Sequence, residues 1–128
     1  MKDIICAGLT ELDLVGRVPD NAAHQLAEYG RLLLEKNQVM NLTAIREEDK
    51  VARLHMLDCA ALLDMAEFEG KTLIDVGTGA GFPGLPLKIL CPSLSVTLLD
   101  SLGKRVNWLN EVAGQLGLEC VHAIHARA

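Results

Sequence analysis

The apolar positions in the first half of the chain recur at the spacing of helix faces. Residues 20–36 predict one helix, in which apolar side chains follow one another at steps of four, three and four: Ala22, Leu26, Tyr29 and Leu33. Residues 46–65 predict a longer helix with its own apolar stripe: Val51, Leu54, Leu57, Ala61 and Met65. We expect a further short helix before Thr10. The N-terminal half of the chain is therefore predicted to be helical.

The spacing changes near Gly70, where short runs rich in β-branched residues begin to alternate with helical patterns. The runs KTLIDV, LSVTLLD and CVHAIHA are typical of strands, and PGLPLKIL and GKRVNWLNEVAGQLG are typical of helices. This alternation predicts right-handed crossovers and a parallel sheet in the strand order 3-2-1. We therefore expect an α/β fold in two parts. Residues 1–69 form an N-terminal helical segment, and residues 70–128 form the first half of a doubly wound domain.

Composition narrows the class of protein. A chain of 128 residues is the size of one domain. Hydrophobic residues make up 50% of it, but it has only one Trp, one Tyr and two Phe, which predicts an aliphatic core. No run approaches the roughly 20 apolar residues that span a bilayer, and acids occupy the N-terminus where a secretion signal needs an apolar stretch. These features favour a soluble cytoplasmic protein without a membrane partner.

The cysteines and the charges argue against several functions. The four cysteines include no C-x-x-C pair, which disfavours a zinc site or a redox motif and favours buried free thiols. The net charge of −5 argues against a general nucleic-acid binder. The charge is uneven, since residues 1–70 carry 7 basic and 13 acidic side chains whereas residues 71–128 carry 5 and 4. An RNA partner would therefore meet small basic spots.

Lys104 and Arg105 form the basic spot nearest to the expected ligand edge of the sheet. Both lie at the start of the helix after the second strand, where the positive end of the helix dipole opposes cations. Contact with RNA phosphates would explain this placement, and a solvated helix face is the simpler alternative. Trp108 follows on the same helix at core spacing with Val112, so we expect it in the core rather than stacked on a base.

The stretch DVGTGAGFPG, residues 75–84, places four glycines between a predicted strand and a predicted helix. No lysine follows in the arrangement G-x-x-x-x-G-K-[S/T], which disfavours a nucleoside triphosphate site. The dinucleotide pattern G-x-G-x-x-G does occur at Gly79, Gly81 and Gly84, but this match is weak by itself. A further residue must therefore discriminate between the possible ligands.

Asp75 supplies this discrimination. It lies at the end of the first strand, two residues before Gly77, where its carboxylate would be near the ligand and would repel a pyrophosphate. A cationic cofactor without phosphate fits better, and S-adenosylmethionine has this chemistry. Its binding loop usually follows the pattern D-x-G-x-G-x-G, in which glycines let the backbone approach the cofactor closely. This pattern is matched by Asp75, Gly77, Gly79 and Gly81.

Asp100 ends the second strand, beside the glycine-rich turn in the expected strand order. An acid at this position can accept hydrogen bonds from both ribose hydroxyls of an adenosine, in dehydrogenases and methyltransferases alike. Asp100 therefore supports an adenosyl ligand without deciding between a methyltransferase and an NAD-type half domain. A solvated or helix-capping aspartate is the structural alternative.

The blocks IDVGTGAGFPGLPLKIL and LLDSLGKRVNWLNEV resemble the RsmG (GidB) methyltransferases of bacteria, and NLTAI and RLHMLD match the helical segment of that family. The likeness covers about residues 20–128. It implies a class I S-adenosylmethionine-dependent methyltransferase with a Rossmann-like sheet, which methylates N7 of one guanine in 16S rRNA of the small ribosomal subunit. It also implies cofactor contacts at Gly77, Phe82, Arg127 and Ala128, with Asp100 at the ribose.

The chain departs from this family in two places. Cys59 stands where the family often has serine. The family's chain also continues beyond position 128, with further strands, the rest of the adenine pocket and an arginine of the cofactor site. We therefore expect a C-terminally truncated form with weak or no activity, and a catalytically dead α/β module is a further alternative. We also expect the first strand to be an unprotected apolar edge through which the chain self-associates.

The reaction implied by the resemblance needs no general base, because guanine N7 carries an in-plane lone pair and no proton. Alignment is then the main task of the enzyme. We accordingly identify no catalytic residue and no metal site. His55 and Asp58, one helical turn apart, are expected to pack or cap rather than to relay a proton, and His122 and His125 would face opposite sides of their strand.

Overall fold

The computed structural model describes residues 1–127, so the cofactor contact expected at Ala128 lies outside the described residues. Helices form the first half of this chain, as the spacing predicts: α1 (Lys2–Glu11), a 3-10 turn (Val15–Arg17) and α2 (Ala22–Asn37). The apolar face predicted for the second of these helices is confirmed, since all four residues are buried: Ala22, Leu26, Tyr29 and Leu33. None of the helices within residues 1–127 is long and apolar enough to cross a membrane.

Residues 48–64 form one continuous run of helical turns, the composite helix. Its type changes along its length: α3 (Glu48–Lys50), a π-helix (Val51–Leu57), α4 (Asp58–Ala61) and a 3-10 turn (Leu62–Asp64). The predicted apolar stripe is wrong at Leu54 and Met65, which are 52% and 78% exposed. Because π-helical hydrogen bonds join residues five apart, spacing based on α-helices no longer describes the buried face. That face consists of Val51, Ala52, Met56, Cys59 and Ala60.

Three parallel strands form the sheet: β1 (Thr72–Val76), β2 (Ser95–Asp100) and β3 (Val121–His125). Two helices connect them: α5 (Gly84–Leu90) and α6 (Gly103–Gln115). The middle strand is β2, which confirms the predicted order 3-2-1 and the α/β class. Asp75 and Asp100 lie near the carboxyl ends of adjacent strands, so they reach the same edge of the sheet. In open parallel sheets this edge is the usual place for ligands.

One face of the sheet is covered by helices. Helix α5 packs against β1 and β2, and α6 packs against β2 and β3. Helices α2 and α4 form a further layer on α5. Buried side chains of the helices and the sheet form a single hydrophobic cluster. This cluster is mainly aliphatic, as the composition predicts, and it includes Trp108. The domain boundary near residue 70 stays a prediction, and the buried cluster crosses it.

The opposite face of the sheet is exposed in the part of the chain that the structure describes. Ile74, Val76 and Ile124 on this face are 60%, 57% and 47% exposed. The strand register places Val76 beside Leu99 and Leu99 beside Ile124, so these three side chains form an apolar row across the sheet. Parallel sheets usually have both faces covered, which makes this row an unusual surface for a lone chain.

The two edges of the sheet also differ. The side-chain amide of Asn110 pairs with the backbone of Ala123 in β3, where its Nδ2 donates to the carbonyl at 3.1 Å and its Oδ1 accepts from the N–H at 3.0 Å. Among residues 1–127, no side chain makes a comparable pair with the outer edge of β1. Since an unpaired edge can pair with another strand, β1 is the vulnerable edge.

The cysteines only partly follow the prediction. All four are free thiols, and Cys59 and Cys91 are buried. The expectation of burial is wrong for Cys6 and Cys120, which are exposed. Cys6 lies on the outer side of α1, and Cys120 lies in the turn that precedes β3. Spacing along the sequence did not distinguish these two positions from the buried ones.

Candidate cofactor site

The turn between β1 and α5 begins with an open half, residues 77–79. Gly77 and Gly79 have φ angles of 69° and 60°, in the left-handed region that favours glycine. A Cβ added to either residue would meet no atom within 4 Å. The backbone of the open half therefore faces free space, and a ligand has room to approach it.

The turn continues with a packed half, residues 80–84, whose glycines have no such space. Gly81 has a φ angle of 102°, and its Cβ would lie 2.6 Å from the hydroxyl of Tyr29. Tyr29 cannot give way easily, because it is fully buried and its hydroxyl donates to the carbonyl of Ala80. A Cβ on Gly84 would press on side chains of β2. These glycines allow close packing beneath the turn.

Asp75 lies beneath the packed half and is only 9% exposed. Its Oδ2 accepts hydrogen bonds from Thr78 Oγ1 at 2.7 Å and from the N–H of Gly84 at 3.0 Å. Burial raises the pKa of this carboxyl, although both hydrogen bonds act in the opposite direction. Gly84 is the first residue of α5, so the carboxylate occupies the place where a helix favours an anion. Its predicted contact with a cofactor stays a prediction, and its observed role is to hold the turn.

Most backbone amides of the turn are used inside the protein. The N–H groups of Gly81 and Phe82 both donate to the carbonyl of Thr78. Three further amides donate to other protein acceptors: Gly79 to Asp100, Gly84 to Asp75 and Leu85 to Gly81. Dinucleotide sites hold a pyrophosphate with free N–H groups at this helix start. The turn does not offer these donors in the arrangement described.

Asp100 faces the open half of the turn and is only 4% exposed. Its Oδ2 accepts from the N–H of Gly79 at 2.9 Å, and its Oδ1 accepts from the N–H of Leu102 at 2.9 Å and from Arg105 Nη1 at 3.3 Å. Burial disfavours the charge, but these amides and the guanidinium outweigh burial and lower the pKa of Asp100. A carboxylate oxygen accepts about two hydrogen bonds. Oδ2 therefore retains capacity for one ligand hydroxyl.

Lys104 and Arg105, the predicted RNA contacts, have different surroundings. Arg105 turns inward to Asp100, and its Nε is buried without a hydrogen-bond partner among the described residues. Lys104 is exposed and takes part in no ion pair within residues 1–127. Contact of both residues with RNA stays a prediction, and the structure favours Lys104 because Arg105 already neutralises a buried carboxylate.

Phe82 connects the turn to the N-terminal helices. Its ring stacks on His55 of the composite helix, with centroids 4.2 Å apart and planes 12° from parallel. His55 Nε2 lies 3.0 Å from Thr43 Oγ1, and the N–H of Thr43 donates to Asn37 Oδ1 at 3.0 Å. Burial lowers the pKa of His55, against the opposite effect of Asp58, so the neutral ring is favoured. The sequence predicted packing or capping for His55, but it did not predict that the His55 ring stacks on Phe82.

The only sequence signal for this contact was indirect. NLTAI contains Thr43 and RLHMLD contains His55, and both blocks carried the resemblance to a methyltransferase family. Periodicity could not connect them to Phe82, because the three residues come from a loop, a π-helix and a turn. Because π-helical segments often occur at functional sites, residues 51–57 are a candidate part of the site.

Four of the predicted cofactor residues lie at one edge of the sheet: Asp75, Gly77, Gly79 and Asp100. The space over Gly77 and Gly79 admits a ligand, and Asp100 keeps one acceptor for it. The inward use of the turn's amides disfavours a phosphate group. These features favour a ligand that has a hydroxyl group and no phosphate at this edge of the sheet.

Comparisons with known proteins agree with this geometry. The sequence model of the GidB family, described as rRNA small subunit methyltransferase G, matches residues 22–128. A protein of Alkaliphilus metalliredigens (strain QYMF) named ribosomal RNA small subunit methyltransferase G is 50% identical over 128 residues, which cover 99% of this chain and 53% of that protein. A protein of Clostridium perfringens (strain 13 / Type A) with the same name is 54% identical over 101 residues, which cover 78% of this chain and 42% of that protein.

The chain spans about half the length of the curated relatives that it matches. A third relative with that name, from Lachnoclostridium phytofermentans, is 51% identical over 109 residues, or 82% of this chain and 45% of its own length. The family match covers the composite helix, the glycine-rich turn and the whole sheet. The chain therefore belongs to the rRNA small subunit methyltransferase G (GidB) family.

Proposed function

We propose that this chain provides the cofactor-binding half of an S-adenosylmethionine-dependent methyltransferase that modifies N7 of a guanine in 16S rRNA of the small ribosomal subunit. The observation that carries this proposal is the placement of Asp75. Its carboxylate fills the anion position at the start of α5, while Gly77 and Gly79 leave open space over the other half of the turn. Such a turn admits a cationic adenosyl group and repels a diphosphate.

Each residue of the site has a distinct proposed role. Gly77 and Gly79 let the backbone approach the cofactor, and Asp100 accepts a ribose hydroxyl on its remaining Oδ2 lone pair. Phe82, held in the packed half by the His55 stack, is proposed to contact the cofactor from that side. When bound, the cofactor supplies an electrophilic methyl group. Because guanine N7 has a lone pair and no proton, these residues need only align the two reactants.

The NAD-type alternative is weaker on the same observations. A nicotinamide dinucleotide would need the amides of Gly81, Phe82 and Gly84 for its pyrophosphate, and all three already have protein acceptors. Binding would also place two phosphates near the Asp75 carboxylate. A dehydrogenase role would therefore require the turn to rearrange.

Calorimetric titration of the 128-residue chain tests the choice of cofactor. We expect S-adenosylhomocysteine to bind and NADH not to bind. We further propose that affinity is lower than that of the relatives of about twice the length, because the outer edge of β1 and one sheet face lack partners in residues 1–127. Binding of NADH in preference to S-adenosylhomocysteine would overturn the proposed function. Binding of neither would favour the alternative of an inactive α/β module.

A methyl-transfer assay on small-subunit RNA tests the substrate. We expect slow transfer to N7 of guanine by this chain and faster transfer by a full-length relative. The variant Asp100→Asn tests the proposed role of the carboxylate, because it keeps the volume of the side chain but weakens the acceptor for ribose. Transfer that is equal in the variant and the unmodified chain would contradict the role proposed for Asp100.

We also propose that the chain self-associates through β1. Ile74 and Val76 give this strand an exposed apolar face, and its outer edge lacks the amide pair that Asn110 makes with β3. Sedimentation velocity should show association that Ile74→Lys suppresses. Ile124→Lys is the matched control, since Ile124 is exposed on the same face of the protected edge strand. A monomer at all concentrations would refute the proposal.

A further inference from the structure

A groove of about 270 Å³ lies between the end of α2 and the first turns of α6. Its apolar floor consists of Val39, Met40 and Trp108, of which Trp108 is 5% exposed. Lys36 from α2 and Lys104 from α6 line it together with the amide of Asn107. The remaining charged lining residue is Glu111, one turn further along α6 than Asn107. Two cations, one amide and one carboxylate thus surround an apolar floor.

Neither lysine of the groove belongs to an ion pair among residues 1–127. By contrast, Arg31 on the same helix as Lys36 pairs with Glu28 and Glu35, and Lys50 pairs with Glu47. Lys104 also lies in the first turn of α6, where the helix dipole opposes a cation. A bound anion would offset this unfavourable placement.

The groove is connected to the candidate cofactor site through α6 and through a contact between buried aromatic rings. The ring of Trp108 lies 6.4 Å from that of Tyr29, and the Tyr29 hydroxyl donates to Ala80 in the packed half of the turn. Lys104 directly precedes Arg105, which contacts the Asp100 carboxylate. A strand of nucleic acid that presents one base over the open half could therefore continue past α6 into the groove.

We infer that this groove binds the sugar-phosphate backbone of the RNA substrate next to the target nucleotide. Lys36 and Lys104 contact phosphate oxygens, Asn107 hydrogen-bonds to a phosphate or a ribose hydroxyl, and the apolar floor packs against the ribose. This inference rests on the proposed function, because RNA is its substrate. It adds Lys36 and Asn107 to the RNA contacts, and it assigns this contact to Lys104 rather than to Arg105.

The test compares two charge-matched double variants of the 128-residue chain. K36Q/K104Q removes both cations of the groove. K2Q/K71Q removes two exposed lysines, from α1 and from the chain before β1, neither of which lines the groove. Affinity for small-subunit ribosomal RNA is measured between about 50 and 200 mM salt, where each phosphate contact adds to the salt dependence. Titration with S-adenosylhomocysteine and circular dichroism report on the cofactor site and the fold.

The groove variant should bind RNA at least about tenfold more weakly at low salt, with a slope of log affinity against log salt that is smaller by about 1.5, because two phosphate contacts are lost. The K2Q/K71Q variant should keep the affinity and the slope, and both variants should bind S-adenosylhomocysteine like the unmodified chain. Equal RNA binding by the two variants would overturn the inference and leave the proposed function intact. Failure of the unmodified chain to bind RNA, with cofactor binding retained, would instead overturn the proposed RNA substrate.

Discussion

The open and packed halves of the glycine-rich turn contain two glycines each, in different surroundings. Gly77 and Gly79 face space in which a Cβ meets nothing within 4 Å. Gly81 and Gly84 face buried side chains that a Cβ would strike. One motif thus combines a ligand-facing segment and a packing segment. Substitutions in the two halves should consequently have separable effects, on ligand binding in one case and on stability in the other.

The two aspartates of the site hold the turn differently. Asp75 ties Thr78 of the open half to Gly84 of the packed half, and Asp100 contacts the open half through Gly79. Among residues 1–127, Asp75 has no cationic partner, whereas Asp100 has Arg105. Asp75, which the sequence motif associates with the ligand, therefore supports the turn from its buried side. Asp100, on the next strand, is nearer to the open half.

Gly81→Ala should have the largest effect on stability. The new Cβ would lie 2.6 Å from the Tyr29 hydroxyl, 2.9 Å from Leu85 and 3.0 Å from Leu109, at a φ angle of 102°. Overpacking and backbone strain together predict a loss of about 3 kcal/mol in the free energy of unfolding. Urea denaturation followed by circular dichroism measures it. The control is Gly77→Ala, whose Cβ would meet no atom within 4 Å. An equal loss of stability in the two variants would remove the distinction between the halves.

Asp75→Ala should have the next largest effect. It leaves the Thr78 hydroxyl and the N–H of Gly84 without their acceptor at a buried position, which predicts a loss of about 2 kcal/mol in unfolding free energy. The control is Asp75→Asn, whose Oδ1 can still accept, so most of the stability should remain. If the alanine variant were as stable as the unmodified chain, the carboxylate would not be holding the turn.

Gly79→Ala should separate binding from stability. Its φ angle of 60° predicts a cost of about 1 kcal/mol, because no clash accompanies the left-handed backbone. The added methyl group points into the space proposed for the cofactor. Affinity for S-adenosylhomocysteine should therefore fall about tenfold, which is about 1.4 kcal/mol of binding free energy. Unchanged affinity in calorimetric titration would mean that the open half does not face the cofactor.

Sequence patterns predicted the class of fold and the strand order because these depend on local periodicity and on handed connections. They also predicted which glycines belong to the turn. They did not predict that Asp75 turns inward or that His55 stacks on Phe82, because both contacts depend on the packing of distant segments. The buried face of the composite helix differs from the predicted one because residues 51–57 are π-helical, and residue spacing did not reveal this.

The smallest effect concerns the pH dependence of stability, where the two aspartates should differ in sign. The pKa of Asp75 is raised above its ordinary value of 3.8, mainly by burial. Its contribution to stability is therefore complete below 3.8 and is lost as pH rises through the folded-state pKa. The pKa of Asp100 is lowered from 3.8: burial disfavours its charge, but the amides of Leu102 and Gly79 and the Arg105 guanidinium outweigh burial. Its contribution is present above 3.8 and is lost as pH falls.

Unfolding free energies of Asp75→Asn and Asp100→Asn, measured against the unmodified chain from acid to neutral pH, separate these contributions. Relative to the unmodified chain, Asp75→Asn should gain stability as pH rises above 3.8, because the unmodified chain must then ionise a buried carboxyl. Asp100→Asn should lose relative stability as pH rises towards 3.8, because only the unmodified chain acquires the charge that its amides and Arg105 favour. Slopes of the same sign in the two variants would show that the two carboxyls do not have the opposite environments described for the two halves of the turn.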